Sequence, residues 1–394
     1  MHSHHHRCLL LILSVSVLGS PSTAQEPNTD RQPAGKLPRR AEIEKKYDRD
    51  GDGQLSSEER RNMWEDIAEE RVEVPPQLRE RVRRMLQQFR DTRKLPGGPK
   101  PKPAGGQSLA GMSHKVVVHR DLVYGEGGGR PLKLDLVLPQ PAPDEPLPLV
   151  VFIHGGGWRG GDKAGGIARV TPLVATGNYV GATIGYRLSG EATWPAQIHD
   201  CKAAVRWLRA NAERYRIDPE RIGVWGSSAG GHLVNMLGTS GGVTELEGSG
   251  GSAEHSSRVT CVVPFCGPTN FLAPKRFEGG RSPSAVDLLL GGSIEDKQDV
   301  AKAASPITYV SADDPPFLIV HGTDDQTVPF EQAEMFYEAL KKAGVDATFV
   351  RIIGGSHAVG GPAVMQRVND FFEKHLRGQD VQVSDGPVQA GPAR

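Results

Sequence analysis

From Lys115 onward, short runs of consecutive apolar residues alternate with longer stretches in which apolar positions recur every three or four residues. The runs predict eight strands: Val116–Val123, Leu132–Leu138, Leu149–His154, Tyr179–Tyr186, Arg221–Gly226, Thr260–Pro264, Phe317–His321 and Thr348–Ile353. Leu149-Val150-Val151-Phe152-Ile153 is apolar throughout, as a strand covered on both faces must be. Helical spacing falls between the runs, most clearly over Trp194–Tyr215 and Phe330–Ala343. Strand–helix alternation predicts an α/β fold: a doubly wound, mostly parallel, eight-stranded sheet with helices on both faces. Such sheets gather their chemistry at the carboxyl ends of the strands.

The pattern before Lys115 is different. His4, His5, His6 and Arg7 precede the apolar run Leu9–Leu18, and small residues lead to Ala24. This is the layout of a cleaved export signal, so residues 1–24 are expected to be removed and the protein to be secreted or periplasmic. The run is too short to cross a bilayer, and no membrane span is expected elsewhere. Residues 25–95 are expected to form a small helical module and residues 96–112 a linker. Between Leu95 and Gly111 stand four Pro and five Gly, a solvated and partly extended composition. Residues 113–378 then make the larger domain, and the Gly/Pro-rich residues 379–394 are expected to be a loose tail.

Composition narrows the function classes. The 394 residues carry 47 Lys+Arg and 47 Asp+Glu, which gives no electrostatic footprint for nucleic acid or an anionic membrane. The 48 Gly and 30 Pro lack a collagen period, and 37% hydrophobic residues are too many for a disordered chain. The neutral total divides into 19 basic and 16 acidic residues over 25–112, against 27 and 31 over 113–394. Past the signal stand Cys201, Cys261 and Cys266, in no metal-site spacing; buried free thiols are expected, with a Cys261–Cys266 bridge as the alternative.

One stretch of the front module carries metal chemistry. Asp48, Asp50 and Asp52 place carboxylates at alternate positions, Gly53 permits a sharp turn, Gln54 offers a backbone carbonyl and Ser56 a water-mediated contact. Glu59 closes the twelve residues with a bidentate carboxylate. Hard oxygens spaced this way suit Ca2+. Helical spacing flanks the loop, with Ile43 and Tyr47 before it and Met63, Trp64 and Ile67 after. The segment resembles the EF-hand family, although no second loop pairs with it, and residues 77–94 read as a basic amphipathic helix. A structural rather than catalytic ion is implied.

In the larger domain, motifs stand at three predicted strand ends. Gly226-Ser227-Ser228-Ala229-Gly230 follows one strand and opens a helical pattern, the setting in which a sharp elbow presents a nucleophilic serine. His154-Gly155-Gly156-Gly157-Trp158 follows another, where glycines leave backbone N–H groups free; Gly156 and Gly157, with Ala229, are the expected oxyanion donors. The third element is an acid and a base. His321-Gly322-Thr323-Asp324-Asp325-Gln326-Thr327-Val328-Pro329 supplies Asp325, with Asp324 as the adjacent fallback, and Gly354-Gly355-Ser356-His357 supplies His357. His154, His199, His232 and His321 are expected to be structural, with His321 packing its strand end.

Residues 115–377 therefore resemble the α/β-hydrolase superfamily, in particular its esterase branch with the HGGGW and GxSxG motifs, near the acetyl-xylan and feruloyl esterase-like members. The resemblance implies a Ser228–His357–Asp325 triad, no cofactor for catalysis, and an ester substrate such as an acylated polysaccharide. Ala358-Val359 after the histidine departs from the commoner form. A serine peptidase of the prolyl-oligopeptidase type shares these motifs but usually carries a propeller, which the front module cannot form. A calcium-dependent scaffold with an inactive hydrolase domain is the reading from another class, and the complete set of triad residues argues against it.

Overall fold

The computed structural model describes residues 115–273 and 284–391, together with single residues between Lys46 and Arg83. The expected export signal, calcium loop and linker lie outside the described residues. Two compact units emerge, Met1–Ser108 and Leu109–Arg394. In the first, Tyr47, Met63, Ile67, Val72, Val74 and Val82 are buried together, so three of the apolar positions flanking the acidic loop, and Val82 of the basic helix, share one small core.

The second unit is built on one sheet. Its strands are β1 (Lys115–Gly127), β2 (Arg130–Gln140), β3 (Leu147–Ile153), β4 (Val180–Ile184), β5 (Ile217–Ser227), β6 (Cys261–Phe265), β7 (Phe317–Gly322), β8 (Ala347–Ile353) and β9 (Val388–Gln389). They lie in the order β1-β2-β4-β3-β5-β6-β7-β8-β9. β1 and β2 pair antiparallel with each other, as β2 does with β4, and every later pairing is parallel. All eight predicted strands are present within a few residues of their expected limits.

The ninth strand corrects two expectations, the strand count and the loose tail. Val388 and Gln389 pair with Ile352 and Ile353 of β8, and Val383, Val388 and Ala390 pack on the core. The Arg367 guanidinium holds the segment by donating to the carbonyls of Ser384 and Gly386. Composition marked this segment as loose, but β8 would otherwise expose an unpaired edge, which the tail covers.

Period-two alternation divides the core in two. Leu149, Val151 and Ile153 of β3 face one apolar cluster and Val150 and Phe152 the other. The helices are α1 (Ala164–Val174), α2 (Ala196–Ala210), α3 (Ala212–Tyr215), α4 (Ala229–Thr239), α5 (Ala285–Leu290), α6 (Gln298–Ala303), α7 (Glu331–Ala343) and α8 (Pro362–Arg377). Each longer helix turns its apolar face to the sheet; α4, preceded by the elbow, is buried along its whole length. The Gly/Ser-rich stretch after α4 is tied down from below. Buried Lys202 and Arg206 on α2 both pair with Glu247, at 2.6 and 2.9 Å. Among the described residues no helix is long and apolar enough to cross a membrane.

Candidate active site

The carboxyl ends of β3, β5, β7 and β8 converge on one spot, and the topology makes this unavoidable: parallel strands β3, β5, β6, β7 and β8 end on the same side. β5 runs into Ser227, and α4 begins at Ala229, which leaves Ser228 alone to reverse the chain. Its backbone sits at φ 57°, ψ −120°, a conformation that side chains disfavour. The turn is possible because its neighbours are small. A Cβ on Gly230 would stand 2.0 Å from the Ile153 carbonyl oxygen, and one on Gly226 2.3 Å from that of Gly230. The Ser228 N–H donates to the Phe265 carbonyl at 2.8 Å, which fixes the elbow to β6.

A hydrogen-bond relay leads away from the hydroxyl. Ser228 Oγ is 2.9 Å from His357 Nε2, and His357 Nδ1 is 2.8 Å from Asp325 Oδ2. Ser228 and His357 are half-buried, and the Asp325 side chain is fully enclosed. Asp324, the fallback, is exposed and takes a bond from Thr323 instead. The sequence-expected residues Ser228, Asp325 and His357 are thus brought together, although 129 positions separate the serine from the histidine.

Asp325 is unusually well supplied with donors. Its Oδ1 accepts the N–H groups of Thr327 and Val328 at 2.8 and 3.0 Å. Its Oδ2 is shared by His357 and by His321 Nε2 at 3.1 Å. The same His321 nitrogen lies 2.9 Å from the Val328 carbonyl, which can only accept, so this nitrogen carries the proton and donates to both. Burial disfavours the charged carboxylate, but bonds from His321, His357, Val328 and Thr327 outweigh it and hold Asp325 well below the usual carboxylate range. A buried carboxylate that stays ionised can orient His357 and stabilise its positive charge.

His321 is thus more than strand-end packing. Its ring does pack edge-on against Phe330, as the sequence led one to expect, but the contact with Asp325 was missed. The i, i+4 spacing of the two residues was the available signal. Cys266 was missed as well. Its sulfur, an Asp325 oxygen and a His357 nitrogen lie within 4.8 Å of one another. Burial pushes this thiol up, so it stays protonated rather than acting as a thiolate nucleophile or soft-metal ligand. Cys201, Cys261 and Cys266 are all free and buried, so the alternative Cys261–Cys266 bridge is absent.

The other histidines are engaged elsewhere. His232 accepts from Trp158 Nε1 at 3.2 Å and faces the Ala304 carbonyl at 2.7 Å; burial lowers it to about 4. His154 stacks on Tyr186 with 4.4 Å between ring centroids, and burial lowers it too. His199 bonds the Glu245 carbonyl.

Opposite the serine lies the glycine loop after β3. Gly156, Gly157 and Trp158 have φ of 116°, 60° and 56° in succession. At Gly156 a Cβ would fall 2.2 Å from the Gly160 carbonyl oxygen, so another residue there would break the turn. The N–H groups of Gly156, Gly157 and Ala229 have no backbone acceptor among the described residues. Ala229 stands at the first position of α4, where an N–H is free and the helix dipole is positive. Between this loop and the opposite wall is a cleft of about 300 Å³ that contains Ser228; Pro268, Ala285, Val286 and Val328 give it apolar sides.

The profile of the BD-FAE family matches residues 134–340, which hold the elbow, the glycine loop and Asp325. The chain belongs to the BD-FAE family. Esterase LipQ of Mycobacterium tuberculosis is 30% identical over 299 residues, which are 72% of this chain and 70% of that protein. Among solved structures, a truncated carbohydrate esterase from gut microbiota is 30% identical with a TM-score of 0.61, covering 68% of this chain and 99% of that one. Thermogutta terrifontis esterase 2 phosphorylated by paraoxon is 26% identical with a TM-score of 0.53, covering 68% and 96%. This BD-FAE protein is accordingly a carboxylic ester hydrolase with the α/β-hydrolase fold, and esterases of the family need no catalytic cofactor.

Proposed function

We propose that the protein is an exported serine carboxylesterase that removes short-chain or aromatic acyl groups, from polysaccharide in particular, through an acyl-enzyme on Ser228. The observation that carries the reading is the continuous relay from Ser228 Oγ through His357 to Asp325. His357 Nε2 takes the hydroxyl proton as Oγ attacks the ester carbonyl carbon. The carbonyl oxygen becomes an oxyanion facing the N–H groups of Gly156, Gly157 and Ala229, and Asp325 stabilises the imidazolium. The tetrahedral species collapses with cleavage of the bond to the alcohol oxygen, which leaves with the proton from His357. Water then attacks the acyl-enzyme with His357 again as base, releasing the acid and restoring Ser228.

The size and apolar walls of the cleft favour small acyl groups, since about 300 Å³ lies at the lower end of ligand pockets. The gut carbohydrate esterase supports a sugar-bearing alcohol, and the paraoxon adduct of the Thermogutta enzyme supports covalent chemistry in this fold. The loop of Asp48, Asp50, Asp52, Gln54 and Glu59 is proposed to hold a structural Ca2+ that stabilises the front module and takes no part in catalysis. The test is a panel of acetyl, butyryl and feruloyl esters with acetylated xylan, run with calcium and with chelator. Acetyl release from xylan that is indifferent to calcium is expected. Hydrolysis confined to long-chain esters would overturn the substrate assignment, and activity abolished by chelator would overturn the structural role of the ion.

A further inference from the structure

At the rim of the cleft stands Arg159, directly after the glycine loop. Its side chain is exposed and makes no hydrogen bond or ion pair with any described residue. Elsewhere near this end of the sheet, arginines are committed: Arg187 is clamped to Asp200 at 2.6 Å and Arg130 to Glu191 through two bonds. No Asp or Glu stands among the described residues that line the cleft. Arg159 therefore lines a largely apolar cleft as a cation with no ion pair among the described residues.

Its root, in contrast, is rigid. Trp158 is held at φ 56°, its indole donates to His232, and its carbonyl accepts the Ser189 N–H at 2.8 Å. The Arg159 N–H closes the turn onto the Gly156 carbonyl. Strained backbone at the preceding residue fixes where the long side chain starts, beside the proposed oxyanion donors, while its head stays free. A guanidinium offers a planar fork that matches a carboxylate in two parallel bonds, and apolar walls raise the attraction above its value in open water.

We infer that Arg159 makes this cleft selective for esters that carry a carboxylate near the scissile bond. The inference rests on the serine-esterase reading and adds the charge of the substrate to it. The carboxylate can sit on the alcohol, as in an acylated uronic acid, or on the acyl group, as in a dicarboxylic monoester, and paired probes separate the two. For the alcohol side, 4-acetoxybenzoate is compared with neutral 4-acetoxybenzamide. For the acyl side, mono-4-nitrophenyl adipate is compared with its methyl ester.

The readout is the ratio of kcat/KM for the anionic ester to that for its neutral counterpart, in wild type, Arg159→Gln and Arg159→Lys. In one pair the ratio is expected to fall about five- to tenfold in Arg159→Gln, the loss of one exposed charge-assisted contact, and to be partly kept in Arg159→Lys. Sodium chloride at 0.5 M should erode the wild-type preference and leave the Gln variant unmoved. A fall in the first pair assigns the carboxylate to the alcohol, and a fall in the second assigns it to the acyl group. Ratios unchanged by Arg159→Gln in both pairs would overturn the inference while leaving the esterase reading intact. Failure of wild type to hydrolyse even the neutral esters would overturn both.

Discussion

The backbone of Ser228 makes a quantitative expectation possible, because presenting the hydroxyl and stabilising the fold pull in opposite directions there. At φ 57°, ψ −120° any Cβ is strained, at a cost of order 1–3 kcal/mol. Ser228→Ala keeps the Cβ and the strain, whereas Ser228→Gly removes both at an unfolded-state entropy cost of about 0.5–1 kcal/mol. The Gly variant should therefore exceed the Ala variant in stability by about 1–2 kcal/mol. For a unit the size of Leu109–Arg394, each kcal/mol is worth roughly 2 °C, so Tm should be higher by about 2–4 °C. Calorimetry of both purified variants, with p-nitrophenyl acetate turnover measured alongside, checks this. Both should be inactive, with Ser228→Ala close to wild type in Tm. A Gly variant no more stable than the Ala variant would refute the claim that the elbow is strained, and turnover retained in either would remove Ser228 from the chemistry.

Two further expectations follow from the packing around the site. Gly230→Ala puts a methyl 2.0 Å from the Ile153 carbonyl oxygen and 2.7 Å from that of His154. Since backbone cannot yield, α4 must move off β3 and carry the Ala229 N–H with it. A loss of at least about 100-fold in kcat, the scale of one oxyanion donor, with a lowered Tm, is expected in steady-state kinetics and thermal melts; near-normal kcat would contradict the proposed oxyanion geometry. His232, lowered by burial to about 4, stays neutral in the folded protein while the unfolded chain takes up a proton near 6.5. Stability should thus fall as pH drops from about 6.5 to about 4 and level off below, a loss of about 2–4 kcal/mol from this group. Urea unfolding across that range should show the slope in wild type and a shallower one in His232→Gln; identical slopes would contradict it.

The strands and the elements around the serine were legible in the sequence because each rests on local signals. Continuous apolar runs marked buried strands, and small residues marked the turns that only they can make. The relay needed more: the order of serine, acid and base along the chain was consistent with Asp325 and His357, and the motif positions of the family resemblance singled them out, with Asp324 left as the fallback. What escaped depended on contacts distant in sequence. Cys266 reaches Asp325 only because β6 and β7 are neighbours, which no spacing reveals. β9 escaped because two residues in a Gly/Pro-rich tail carry no period, and the edge of β8 that they cover exists only in the assembled sheet. The commitment of Lys202 and Arg206 to Glu247 was equally hidden, since helical spacing alone gives no partner for a buried cation.

The central claim is that the Ser228 hydroxyl is the nucleophile activated by His357. A fluorophosphonate probe followed by peptide mass spectrometry tests it most directly. Wild type should take up one phosphonyl group on the peptide containing Ser228, and His357→Ala should react far more slowly. Labelling that persists undiminished in Ser228→Ala, or wild type that forms no adduct while hydrolysing esters, would contradict it.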